Sequence, residues 1–241
     1  MNDISPAQPA SQAGPAACAA CKLPVARRIC FNLRGTGPKG CPTLNREALL
    51  ALANERYADS GVGEFARQAS RQEAEGYANR HERPYVMQPA KTRMVEICEF
   101  ARKLNYHRLG LAFCLGLARE AALVDEILQS NGFNVISVGC KAGRTPKEDI
   151  GITDTEKVFQ GRPEAMCNPI FQALLLNQEA TQFNILLGLC VGHDSLFFQH
   201  VKAPTTVLAV KDRVTGHNPL AAVYCVDSYY RKLKHKEPPN P

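Results

Sequence analysis

Tryptophan is absent from the 241 residues, and that alone excludes no function. Other absences say more. No apolar run approaches the roughly 20 residues that cross a bilayer as a helix, so a membrane-spanning helix is not expected. Residues 1–17 lack the basic start and apolar centre of a signal peptide, which places the chain in the cytoplasm with reduced thiols. No G-x-G-x-x-G follows the first expected strand, and no G-x-x-x-x-G-K-[ST] occurs anywhere. A usual dinucleotide or P-loop phosphate site is therefore not expected. Acidic residues are missing from positions 18–41, although Lys22, Arg27, Arg28, Arg34 and Lys39 fall there. The whole chain is mildly basic, 29 − 23 = +6, which permits anionic partners without requiring them.

What is plentiful is cysteine. Ten occur, a high number for a chain with no secretory signature, where metal binding is a commoner use than disulfides. Four of them, Cys18, Cys21, Cys30 and Cys41, form C-x2-C-x8-C-x10-C in a segment broken by Pro24, Gly35, Gly37, Pro38, Gly40 and Pro42. So little apolar material cannot build a core. Four thiolates on one ion or cluster would tie the segment together instead. Zinc ribbons usually offer two C-x2-C pairs, and only one is present. The pattern favours a [4Fe-4S] cluster, with zinc as the alternative. The local cations would stabilise either negatively charged complex.

Before that segment, residues 1–17 have the Ala, Pro, Gln and Ser composition of a disordered leader. Residues 43–106 read as helices. Thr43 can cap the first, a second runs from about Val62, and a third follows Pro89. In the third, Met94, Ile97, Cys98, Ala101 and Leu104 share one face, so Cys98 reads as a core thiol. From residue 107 apolar strands alternate with helices. Strands are expected near 109–113, 135–138, 183–189 and 205–210, with helices near 117–128, after Asn168-Pro169 and after Asn218-Pro219. The last helix would bury Cys225, Tyr229 and Leu233. This predicts an α/β domain over 107–236, with a Rossmann-like parallel sheet of about four strands covered by helices, and a loose tail over 237–241.

Such sheets bind ligands beyond the carboxyl ends of their strands. Cys114, Cys140 and Cys190 each follow an expected strand, and Cys167 precedes an expected helix cap. The gaps of 26, 27 and 23 residues match no linear motif. The expectation rests on position: thiols at one point of the fold read as a second metal site, again best suited to an iron–sulfur cluster. His193, His217 and Lys211 lie in loops at the same edge and are candidates for handling protons or an anionic substrate. Asp194 reads as the cap of a following turn. Asp212 and Arg213 could hold an anionic substrate beside the cluster, but read more simply as a surface ion pair.

Three stretches, Cys18/Cys21/Cys30/Cys41, Gly188-Leu189-Cys190-Val191-Gly192-His193-Asp194-Ser195 and Lys211-Asp212-Arg213-Val214-Thr215-Gly216-His217-Asn218-Pro219, carry a further indication. Through them the chain resembles a family of predicted metal-binding, cysteine-rich proteins of archaea and anaerobic bacteria, over nearly everything after residue 17. The resemblance implies metal ligation by cysteine and implies no reaction. In site design alone the chain is similar to non-redox [4Fe-4S] enzymes such as desulfurases, which leave one iron open to substrate. The expectation is thus an iron–sulfur protein with two cysteine-ligated sites. The second would be a redox or Lewis-acid centre on a small molecule, making the chain an oxidoreductase or lyase, supplied by a redox partner where electrons are needed. The alternative is a zinc-binding or metal-sensing module without turnover. Nucleic acid is not expected as a partner, because the basic stretches lack interleaved aromatics.

Overall fold

The structure is a computed structural model that describes residues 14–235. The first thirteen residues of the expected leader, Lys236 and the tail 237–241 lie outside the described residues. The chain divides into two compact units, with the boundary between Ser70 and Arg71 inside a helix.

The first unit holds the early cysteines. Two single 3-10 turns, Cys18–Ala20 and Val25–Arg27, lead to the short helix α1 (Pro42–Asn45), then α2 (Glu47–Arg56) and α3 (Ser60–Glu75). Helix α1 starts two residues earlier than expected. Cys41 is its N-cap residue and Pro42 its first helical residue, so Thr43 is not the cap. No residue between 14 and 67 is buried.

The second unit holds the sheet. The expected all-helical stretch is interrupted by a two-stranded antiparallel ribbon, β1 (Tyr77–Ala78) with β2 (Gln88–Pro89). Helix α4 (Arg93–Lys103) follows, started by Thr92, whose hydroxyl accepts from Val95 N–H at 3.4 Å. Then β3 (Arg108–Phe113), α5 (Ala118–Ser130), β4 (Asn134–Gly139), α6 (Pro169–Gln178), β5 (Phe183–Leu187), α7 (His193–His200), β6 (Thr205–Ala209) and α8 (Leu220–Tyr224) complete the unit.

The sheet has order β4-β3-β5-β6 and every pairing is parallel. It is the Rossmann-like α/β arrangement that the alternation of apolar strands and helices predicts. Both faces are covered. Ile97, Cys98 and Ala101 of α4 and Ala121, Val124 and Leu128 of α5 pack on one face with Leu109, Leu111 and Ile185. Ala173 and Leu176 of α6 and Phe197 of α7 pack on the other with Ala112 and Leu186. Cys98 is a buried core thiol as expected, and burial pushes its pKa up. Cys225 is not. Helix α8 ends at Tyr224 after little more than one turn, and Cys225 is half-buried while Tyr229 and Leu233 are exposed.

After β3 the chain steps outward to β4, then returns across β3 to β5. The strand order therefore reverses between β3 and β5. Such a switch point opens a crevice beyond the carboxyl ends of those two strands.

Candidate metal centre

The second unit brings four thiols to that crevice. Cys114, Cys140, Cys167 and Cys190 line one cavity of about 400 Å³. Register explains two of them. Phe113 pairs with Gly139, so Cys114 and Cys140 are the next residues on adjacent strands. Cys140 N–H donates to Phe113 O at 2.9 Å. Cys167 arrives from a long excursion that returns to its starting point, because Asn168 N–H donates to Cys140 O at 2.7 Å. Asn168 also caps α6, accepting from Phe171 N–H at 2.9 Å.

Cys190 differs from what its sequence position suggests. Phe113 pairs with Leu187, so the residue level with Cys114 is Gly188, and Cys190 lies two residues further out. The strand stops because Gly188 has φ +68° and packs under Leu117, whose Cδ1 would be 2.1 Å from a Cβ there. The expected three thiols at one structural point are thus two, with Cys190 displaced. An unexpected helix, α7, starts directly after it. Asp194 is not the cap expected of it: it is the second residue of α7, whose cap position is Gly192, and its Oδ1 accepts from the N–H groups of Gly192 and Ser195 at 3.0 and 2.8 Å.

The sulfurs interact in series. Cys140 and Cys167 are hydrogen-bonded to each other with Sγ atoms 3.5 Å apart, and Leu115 N–H donates to Cys140 Sγ at 3.3 Å. The hydrogen bond with Cys140, followed by burial, pushes Cys114 up to about 12, while Gly116 and Lys211 pull in the other direction. Cys140 is also raised. Its contact with Cys114 favours the thiolate, but Cys167 and burial outweigh that contact. At the end of the series, the hydrogen bond with Cys140 holds Cys167 down to about 7 against its burial. Charge in the trio therefore collects on Cys167, at the start of α6, where the helix dipole favours an anion.

Cations and one carboxylate complete the walls. Arg213 Nη2 donates to Cys190 Sγ at 3.2 Å, so Arg213 is a site residue and not half of a surface ion pair. Asp212 shapes its loop, its Oδ1 accepting from Val214 and Thr215 N–H. His193 lines the cavity at the first position of α7. Lys211 interacts with Cys114 but does not line the cavity. His217 does not line the cavity: its Nδ1 accepts from Asp212 N–H at 3.1 Å and closes the 212–217 loop. The sequence reading passed over Glu164. This buried carboxylate lies between Lys147 at 3.0 Å and Lys141 at 3.6 Å and accepts from Val158 and Phe159 N–H. Ile150, Ile152, Val158, Phe159 and Met166 of the same excursion form an apolar wall.

In the first unit, Cys18, Cys21, Cys30 and Cys41 line a smaller cavity of about 180 Å³. Arg28 ties the C-x2-C segment to the turn carrying Cys30, donating to Cys21 O at 3.0 Å and Leu23 O at 2.8 Å. Gly37 leaves room for a sulfur, since a Cβ there would come within 2.8 Å of Cys41 Sγ. Among the described residues, no three His, Cys, Asp or Glu side chains converge closely enough to chelate a single metal ion.

No helix among the described residues is long and apolar enough to cross a membrane. A family model described as protein of unknown function (DUF1847) matches residues 41–208. That range contains Cys41 and all four thiols of the second unit's cavity. An uncharacterized protein of Methanocaldococcus jannaschii, MJ0455, is 47% identical over 142 residues, which cover 59% of this chain and 70% of that one. No solved structure matches the chain. The chain belongs to the DUF1847 family.

Proposed function

We propose that this member of the family is an iron–sulfur protein with two cysteine-ligated centres. The centre at the switch point would be the working one, acting on a small molecule. The observation that carries the reading is the gathering of four thiols, from two strand ends, the loop beyond a third strand and one helix start, around one cavity at the place where α/β sheets bind ligands. The donor set fits. Soft thiolates suit iron–sulfur clusters, and Arg213, Lys211 and the starts of α6 and α7 offset their negative charge.

A cluster held there supplies electron transfer or, at an iron not capped by thiolate, Lewis acidity. The chain's own residues do the rest. Lys141 and Lys147 are held by Glu164 and keep the 141–167 excursion folded over the site. Its apolar wall limits water around the bound molecule. His193 offers an imidazole for proton transfer at the cavity wall. In the first unit Cys18, Cys21, Cys30 and Cys41 would hold a structural or electron-relay centre, with zinc as the other occupant to test.

Metal and acid-labile sulfide per chain, measured on anaerobically purified protein, test the reading. About eight iron and eight sulfide are expected, two cubane clusters. Cys114→Ser with Cys140→Ser should remove half of the iron. Iron unchanged in that variant, or zinc as the sole metal, would contradict the working centre and leave a binding module.

A further inference from the structure

We propose that Cys190 is the substrate-facing thiol of this site and not one of the thiols that hold the cluster, and that Arg213 draws an anionic substrate to its sulfur. The inference rests on the metal-centre reading and divides the four thiols within it. Cys114, Cys140 and Cys167 form one connected group, through strand register, the Asn168–Cys140 backbone bond and sulfur–sulfur interactions. Cys190 is joined to that group differently. It lies two residues beyond that level, past the end of β5. Among the described residues its sulfur takes a hydrogen bond from Arg213 and from no thiol, although it is near enough to Cys167 to act on it electrostatically. Like Cys167 it is half-buried, whereas Cys114 and Cys140 are buried.

Three thiols leave a cubane cluster one open position. The fourth thiol, in the same cavity, is then free for chemistry. The Arg213 guanidinium donates to it, and His193 and apolar side chains of the 141–167 excursion line the same cavity. These walls suit a small organic anion with an apolar body and a carbon or sulfur atom open to attack by a thiolate. In the step, a lone pair on Cys190 Sγ forms a bond to that atom while the bond to the leaving group breaks. The electron pair departs with the leaving group, and the thiol proton passes to solvent. No oxidant or reductant is needed.

Iodoacetate, an anion, and iodoacetamide, its neutral amide, are suitable probes, since each alkylates a thiol with loss of iodide. On the iron-loaded full chain, peptide mapping is expected to find Cys190 alkylated and Cys114, Cys140 and Cys167 protected. Cys190→Ser should keep the wild-type iron content, while Cys140→Ser sheds iron. Arg213→Gln should lower the ratio of iodoacetate to iodoacetamide rates at Cys190 about tenfold, the scale of one charge-assisted hydrogen bond. Loss of iron in Cys190→Ser, or protection of Cys190 in the loaded wild type, would overturn the inference while the metal reading stands. An unchanged rate ratio in Arg213→Gln would overturn the role of Arg213. A wild-type chain without iron would fail the metal reading and this inference together. The alkylation map needs no variant, so a Cys190→Ser protein that does not fold leaves the test intact.

Discussion

Glu164 shows what single residues contribute around the cavity. Burial alone would raise its pKa, but Lys147, the backbone donor at Phe159 and Lys141 hold it down to about 2. A carboxylate depressed from about 4.5 adds stability that is complete above the unfolded value and is lost as pH falls through the window from 4.5 to 2. The sign follows because the unfolded chain binds more protons in that window. Glu75 and Glu99 are depressed as well, by Lys103 and by Lys91, so the contribution of Glu164 is the difference between proteins. Urea midpoints from pH 6 to 3 should fall more steeply in wild type than in Glu164→Gln. Parallel curves would mean that the ion pairs do not couple to folding. Glu164 carries no signal for the site in the sequence, and Arg213 reads there either as an anion holder or as half of a surface ion pair. Their partners are contacts across space, Arg213 with Cys190 twenty-three residues away, and no periodicity encodes such contacts. Cys98 was legible because helical spacing placed it among Met94, Ile97 and Ala101.

Elements were easier to read than the joints between them. Near-continuous apolar strands separated by helices announced the parallel sheet, and Asn168-Pro169 marked the start of α6. The same signal at Asn218-Pro219 opened only the short α8, because the exposed Tyr224 and Tyr229 give a longer helix little apolar surface to bury. The displacement of Cys190 was hidden because it depends on Gly188 turning at positive φ. Helix α7 was hidden because Gly-His-Asp-Ser reads equally well as a loop. Within the sheet, Gly110 of β3 lies against the buried Asn184 of β5. Asn184 Oδ1 accepts from Thr181 Oγ at 2.7 Å and would be 2.0 Å from any Cβ at position 110. Gly110→Ala should therefore destabilise the second unit by about 1–3 kcal/mol, read from its denaturant midpoint. A neutral effect would mean that strands β3 and β5 part easily, and would weaken the register argument for Cys114.

For the whole molecule, the two units differ in what can hold them together. The second has a continuous core on both sheet faces. The first has no buried residue from 14 to 67, and ordering its backbone costs roughly 1–2 kcal/mol per residue. Metal ligation, worth about 10–16 kcal/mol in small zinc modules, is of the size needed to offset part of that cost. A strong chelator under reducing conditions should open residues 14–67 to limited proteolysis and leave β3 to β6 protected. Equal protection with and without chelator would mean that the first unit is held by something other than its thiols. One joint of the second unit has a further consequence. The excursion between Cys140 and Cys167 begins and ends at the same place, its base tied by backbone bonds from Asn168 to Cys140, Lys147 to Glu164 and Met166 to Thr145 and by the Glu164 ion pairs. The stretch beyond that base, residues 148–163, can therefore be lengthened, shortened or rewritten with little movement of either sulfur. Among descendants of a common ancestor, this is where substrate preference can drift while the centre beneath it stays as it was.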